Sequence, residues 1–180
     1  MNFPTIIVLA SGRGKRFAAS GGSTDKLQAW LAGKTELQHT LDAVQASGLP
    51  WHLEAAGHPG MGDSIAAGVR ATWQCGAQAA GWLILPGDLP LIQSATLRAV
   101  AAALERHSVV LPSYRGQRGH PVGFAVECGA ALLNLHGERG GAGVVAAYAA
   151  FELVVNDIGC VTDIDTLADL QAAERFITGA

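Results

Sequence analysis

Lysine is scarce in this 180-residue chain: Lys15, Lys26 and Lys34 are the only three, all within the first 34 residues. Aromatic residues make up 6% and charged residues 15%. The formal net charge of -3 lacks the basic excess by which proteins grip a phosphate backbone, so nucleic acid is not an expected partner. Cys75, Cys128 and Cys160 stand far apart and form no CxxC pair. That spacing suggests neither a cysteine zinc site nor a disulfide framework, and it suits a reducing compartment. The N-terminal apolar run is too short for a signal peptide or a membrane span. The expectation is a cytoplasmic chain with no membrane partner. What the sequence does have is apolar residues, 49% of the total, enough for a single folded domain spanning residues 1–180.

Apolar runs alternate with helical patterns. Strands are predicted at Thr5 to Ala10, Trp51 to Ala56, Trp82 to Pro86, Ser108 to Pro112, Pro121 to Glu127 and Phe151 to Val155. Helices are predicted at Glu36 to Ser47, Asp63 to Gln78, Gln93 to His107 and Leu167 to Ile177, with one or two short ones in 128–149. Continuous apolar strands separated by helices indicate an α/β domain whose mostly parallel sheet is covered on both faces. Ligands of such sheets bind beyond the carboxyl ends of the strands. Here those ends carry Ser11-Gly12-Arg13-Gly14-Lys15-Arg16-Phe17, then Gly87-Asp88-Leu89-Pro90, then a basic loop containing Arg118-Gly119-His120-Pro121.

The first of these loops is neither a P-loop nor a dinucleotide fingerprint. Gly14-Lys15 is followed by Arg16 rather than Ser or Thr, and Phe17 stands where the third glycine of GxGxxG belongs. The physics of the loop nonetheless suits an anion. Glycines allow backbone N–H groups to approach a phosphate closely, and Arg13, Lys15, Arg16 and Lys26 can neutralise its charge. A solvated turn with ordinary surface cations is the plain alternative.

The string Leu9-Ala10-Ser11-Gly12-Arg13-Gly14-Lys15-Arg16-Phe17, with Lys26 downstream, resembles the LAxGxxxRM...K signature of Rossmann-like nucleotidyltransferases. Within these it is most similar to the MobA-like NTP transferases, which include the molybdenum cofactor cytidylyltransferases and guanylyltransferases. Gly60-Met61-Gly62-Asp63-Ser64-Ile65 resembles their GMGxSL, Gly87-Asp88-Leu89-Pro90 their GDMP, and Arg118-Gly119-His120-Pro121-Val122 their RGHPV. Gly137-Glu138-Arg139-Gly140-Gly141 resembles GDxGA, and Asp163-Ile164-Asp165-Thr166 matches DIDT.

The resemblance implies a three-layer fold and a Mg²⁺-dependent transfer of NMP from an NTP, with CTP favoured, to a phosphate-bearing acceptor of molybdopterin type. A molybdenum hydroxylase apoenzyme would be a downstream partner. It implies a nucleotide cradle of Leu9, Ala10, Ser11, Gly12, Gly14, Arg16, Lys26, Gly62 and Ser64. Arg16, Lys26 and Asp88 would be catalytic, Asp88 and Asp165 would hold the metal, and Arg118 and His120 would face the acceptor.

Each position has a structural alternative. Asp88 could hold a turn or cap the next helix, Asp165 or Thr166 could cap the helix from Leu167, and Asp63 or Ser64 could cap the helix behind the GMG segment. Two features depart from the family pattern: the segment from Phe17 to Lys26 is longer than usual, and one βα step is missing before Gly60. An acceptor phosphate is already ionised near neutral pH, so no general base or covalent nucleophile is required. A GTP- or sugar-phosphate-using transferase, or a non-catalytic nucleotide or cofactor delivery protein, are the other readings.

Overall fold

The computed structural model describes residues 3–11, 15–22, 25–73 and 80–179, without the side chains of Lys15 and Arg16. Its spine is β1 (Thr5–Leu9), the run TIIVL. Side chains alternate across a strand, and here both faces bury apolar groups. Ile6 and Val8 enter one core and Ile7 the other.

Beside β1 on one side lies β4 (Trp51–Glu54) and on the other β5 (Gly81–Pro86), both parallel to it. The chain runs outward from β1 to β4 and then crosses back to β5. The reversal of winding direction therefore falls at β1, and it opens a crevice at the carboxyl ends of these strands. Beyond β5 lie β8 (Val122–Ala125), antiparallel, then β6 (Val109–Tyr114), then β9 (Ala150–Val154), parallel to β6. A two-residue strand, β7 (Gln117–Arg118), pairs with the far end of β6. The result is a mostly parallel seven-stranded sheet.

Helices cover both faces. The first core packs α2 (Glu36–Ser47) and α4 (Ser94–Ala103) through Val44, Leu97 and Val100 onto Ile6, Val8, Leu83 and Leu85. The second packs α3 (Met61–Trp73), α5 (Gly129–Leu133) and α6 (Ala142–Ala147) through Ile65, Val69, Leu132 and Val144 onto Ile7, Trp82, Ile84 and Phe124. Each fully buried apolar side chain of this kind contributes about 1.5–3 kcal/mol. A third, smaller cluster joins Phe17, Leu31, Ile164 and Ala173. It ties α1 (Lys15–Ala19) and the hairpin of β2 (Trp30–Leu31) and β3 (Lys34–Thr35) to α7 (Leu167–Thr178). The three-layer α/β architecture expected from the sequence is the one observed.

Local signals set the helix ends. Thr35 caps α2 by accepting from the Gln38 N–H, and Gly48 closes that helix at φ 72°, where a Cβ would be strained. The predicted helix Gln93 to His107 stops earlier, at Ala103. The predicted Asp63 to Gln78 begins two residues sooner and is described as far as Trp73; residues 74–79 lie outside the described set. Helix α1 and strands β2, β3 and β7 were not expected. Each has only two to five residues, too few for a periodic pattern to register.

Candidate active site

A cleft of about 670 Å³ opens across the carboxyl ends of the central strands. Its walls gather segments far apart in sequence: Ser11 after β1, His58 to Met61 after β4, Gly87-Asp88 after β5, Arg118 at the end of β7 with Gly119 and His120 after it, and Asp163 with Asp165 ahead of α7.

At its centre the Lys26 ammonium donates to Asp88 Oδ2 at 2.6 Å and to Asp165 Oδ1 at 3.0 Å. Lys26 sits in a short turn capped by Asp25, whose carboxylate accepts from the Leu27 N–H. Burial alone would lower the Lys26 pKa, but the charges and hydrogen bonds of Asp88 and Asp165 outweigh it and hold the ammonium above its ordinary value. The lysine is thus fully charged and anchored.

Asp88 is free for this because another residue caps the following helix. Asp157, 2% exposed, accepts from the Gln93 N–H and the Thr96 hydroxyl at the start of α4. Likewise Thr166 caps α7 in a reciprocal capping box with Asp169, which leaves Asp165 to the lysine. Asp163 and Asp165 flank Ile164, which is 0% exposed, and both reach the cleft wall. The Ile164 N–H donates to the Asp88 carbonyl at 3.2 Å, fixing the two acidic segments side by side. Partial burial, reinforced by Asp165 and Asp88, raises the Asp163 carboxyl.

Two carboxylates from different strand ends converge on one cation, and the ammonium is a stand-in for the charge that a divalent ion would bring there. Among the described residues no group of three or more His, Cys, Asp or Glu side chains has metal-holding geometry. A carboxylate pair of this kind leaves the remaining positions to phosphate oxygens and water, as magnesium sites commonly do. Asp88 and Asp165 therefore fit a hard dication bound together with a polyphosphate.

The Gly60-Met61-Gly62 segment packs against the loop at Gly137. Gly62 gives its N–H to the Gly137 carbonyl at 2.8 Å, and Asp63 accepts from the Gly137 N–H at 2.9 Å. A Cβ on Gly60 would lie 2.3 Å from the Gly137 carbonyl carbon. These glycines interlock the two loops, and the Gly62 N–H is already engaged rather than open to an anion. Ser64, 3% exposed, pairs its hydroxyl with Ser11 at 2.9 Å and reaches the Gly60 carbonyl at 3.2 Å. It therefore braces Ser11, just after β1. Leu9 and Ser11 line the cleft and Ala10 donates its N–H to the Glu54 carbonyl. Gly12 and Gly14, and the side chain of Arg16, lie outside the described residues.

Also on the cleft wall is His120, half-buried and within electrostatic reach of the Asp88 and Asp163 carboxylates. Burial lowers its pKa, and those two carboxylates pull the other way without overcoming it. Its Nδ1 has no hydrogen-bond partner among the described residues. Arg118 is exposed and its Nε donates to Glu152 at 2.9 Å. The Gly119 between them has room for no side chain, since a Cβ would meet the Cys160 carbonyl oxygen at 2.0 Å.

The sequence reading missed two groups. Glu54 at the end of β4 holds His58 on the cleft wall at 3.1 Å. Glu36, in the first turn of α2, is 0% exposed, and neither carboxyl oxygen has a hydrogen-bond partner among the described residues. Burial pushes its pKa up to about 8, with Lys26 opposing and Asp88, Asp165 and Asp25 adding to the rise. In sequence it reads as an ordinary acidic residue favoured by the helix dipole.

The family model for the MobA-like NTP transferase domain matches residues 43–151, more than half of the chain. The chain belongs to the MobA-like NTP transferase family. No match was found among curated proteins. Solved structures of similar fold include Rv0371c of Mycobacterium tuberculosis in complex with manganese, at 22% identity and a TM-score of 0.74 over 97% of this chain and 99% of that one. A nucleotidyl transferase from Methanothermobacter has 20% identity and a TM-score of 0.76, with all of both chains covered. The molybdopterin-guanine dinucleotide biosynthesis protein A of Archaeoglobus fulgidus has 16% identity and a TM-score of 0.70, covering 98% of this chain and 100% of that one. At these identities the likeness is one of fold. Membership of the MobA-like family makes the chain a nucleotidyltransferase by class. No helix among the described residues is long and apolar enough to cross a membrane.

Proposed function

We propose that this MobA-like chain transfers NMP from an NTP, with CTP the favoured donor, to a small phosphate-bearing acceptor of molybdopterin type, releasing pyrophosphate. The observation that carries the reading is the convergence of Asp88 and Asp165 on the Lys26 ammonium at the centre of the cleft. The manganese in the complex of a structurally similar protein supports a divalent ion, here read as Mg²⁺, between those aspartates. Bound there, such an ion would draw off charge developing on the triphosphate.

The residues of this chain supply position and charge. Ser11, braced by Ser64, stands just after β1, and Gly12, Gly14 and Arg16, next in sequence, are proposed to cradle the triphosphate. Lys26 neutralises its non-bridging oxygens. Arg118 and His120, on the cleft wall, receive the acceptor. The acceptor phosphate attacks the α-phosphorus as an already ionised nucleophile, so holding the two in line is the main task. Proposed location is the cytoplasm, with a molybdenum hydroxylase apoenzyme as the recipient of product.

The test is pyrophosphate release from CTP, GTP, ATP or UTP with Mg²⁺ and a molybdopterin-type acceptor. Release with CTP and the acceptor supports the reading. Release with GTP instead would reassign the donor, and nucleotide binding without release would make the chain a delivery protein.

A further inference from the structure

A carboxyl group that is fully buried and makes no hydrogen bond is costly unless some state of the protein uses it. Glu36 is such a group, and its position is not arbitrary. Its own N–H donates to the Ala29 carbonyl at 2.9 Å, and the Ala29 N–H in turn donates to the Lys26 carbonyl at 3.0 Å. One helical turn on, Thr40 lies on the same face of α2 and donates its hydroxyl to the Gly87 carbonyl at 3.0 Å. The first turn of α2, which carries the buried Glu36 side chain, is therefore tied to the turn that carries Lys26 and to the strand end that carries Asp88, and the charges of both residues bear on its carboxyl group.

The Lys26 ammonium now occupies the two aspartates on which a divalent ion would depend. Two positive centres cannot share the same carboxylate pair at short range without strong repulsion. When an ion arrives the ammonium must leave, and in a region only 11% exposed at Lys26 it needs another counter-charge. Among the described residues the one buried carboxyl group beside the Lys26 turn with both oxygens unpartnered is Glu36.

We propose that Glu36 is a positioning residue that provides the second seat of the Lys26 ammonium, taken when a divalent ion occupies Asp88 and Asp165. The ammonium then stays at the cleft floor, one side-chain swing from its first seat, oriented to reach the triphosphate that accompanies the ion. This rests on the reading of Asp88 and Asp165 as metal ligands.

The test is calorimetric titration of the full chain with Mn²⁺ alone, together with thermal melts. Glu36→Gln keeps size but cannot ionise to receive the ammonium, and Glu36→Leu provides an apolar second variant. Both are expected to melt at or above the wild-type temperature, because an unpartnered buried carboxyl is gone. Both are expected to weaken Mn²⁺ binding by about tenfold. In a Lys26→Met background, where no ammonium needs a new seat, the same substitutions should change Mn²⁺ affinity by less than about twofold. An undiminished loss in that background would overturn the proposal, because Glu36 would then act on the ion directly. Unchanged affinity in the single variants, or melting well below wild type in both, would overturn it too by making Glu36 merely structural. A wild-type chain that fails to bind Mn²⁺ would instead remove the metal reading on which the proposal rests.

Discussion

At the scale of single residues, the site separates aspartates that hold the fold from aspartates left for chemistry. Asp157 accepts from the Gln93 N–H, the Thr96 hydroxyl and the Gly159 N–H. Because it is buried, Asp157→Ala should leave three donors without a partner and lower stability by about 3 kcal/mol in urea unfolding. Asp88 carries no such duty. Asp88→Ala should abolish nucleotidyl transfer, read as pyrophosphate release, while the far-ultraviolet circular dichroism stays that of the wild type. Near-normal turnover in that variant would remove Asp88 from the metal site. The sequence could point to Asp88 because it follows an apolar strand, yet Asp157 follows one too. Only the folded chain shows that α4 takes its cap from the second and so releases the first.

Among elements, the strands and longer helices were legible because burial on both sheet faces writes continuous apolar runs, and helix faces repeat near every 3.6 residues. The hairpin β2–β3 and the pieces around it were not. They are stabilised by the small cluster of Phe17, Leu31, Ile164 and Ala173, which assembles from both ends of the chain and leaves no local pattern. The GMG segment was legible as a motif but not in its physical role. Its glycines are required by contact with the loop at 136–140 as well as by any ligand. Gly60→Ala would place a methyl group 2.3 Å from the Gly137 carbonyl carbon. It should therefore lower stability by about 1–3 kcal/mol, seen as a drop in Tm before any ligand is added. An unchanged Tm would mean that the two loops part freely.

For the molecule as a whole, the arrangement is a Rossmann-like sheet with one acidic and cationic cluster at its switch point, and that cluster makes stability depend on pH. Glu36 is raised by burial to about 8, above its unfolded value, so the folded state holds a proton that the unfolded state releases. Its contribution is fully present below the unfolded pKa and is lost as pH rises through about 8. The Tm advantage of Glu36→Gln over wild type should accordingly grow between pH 5 and pH 8.5, and a constant difference would contradict the assignment. This property was invisible in the sequence, where a glutamate at a helix start is unremarkable. The site's outline was visible, since its residues follow strand ends in the order the fold requires. Which of them meet, above all Lys26 with both Asp88 and Asp165, depends on contacts spanning the whole chain.

The most direct test of the central claim, that this cleft holds an NTP with a divalent ion on Asp88, is the Tm of the purified chain with CTP, GTP, ATP and UTP, with and without Mg²⁺. A ligand that binds only the native state raises Tm by mass action. The expected result is a rise with CTP that requires Mg²⁺ and disappears in Asp88→Ala. No rise with any nucleotide at millimolar concentration, or a rise that survives in Asp88→Ala without Mg²⁺, would contradict it.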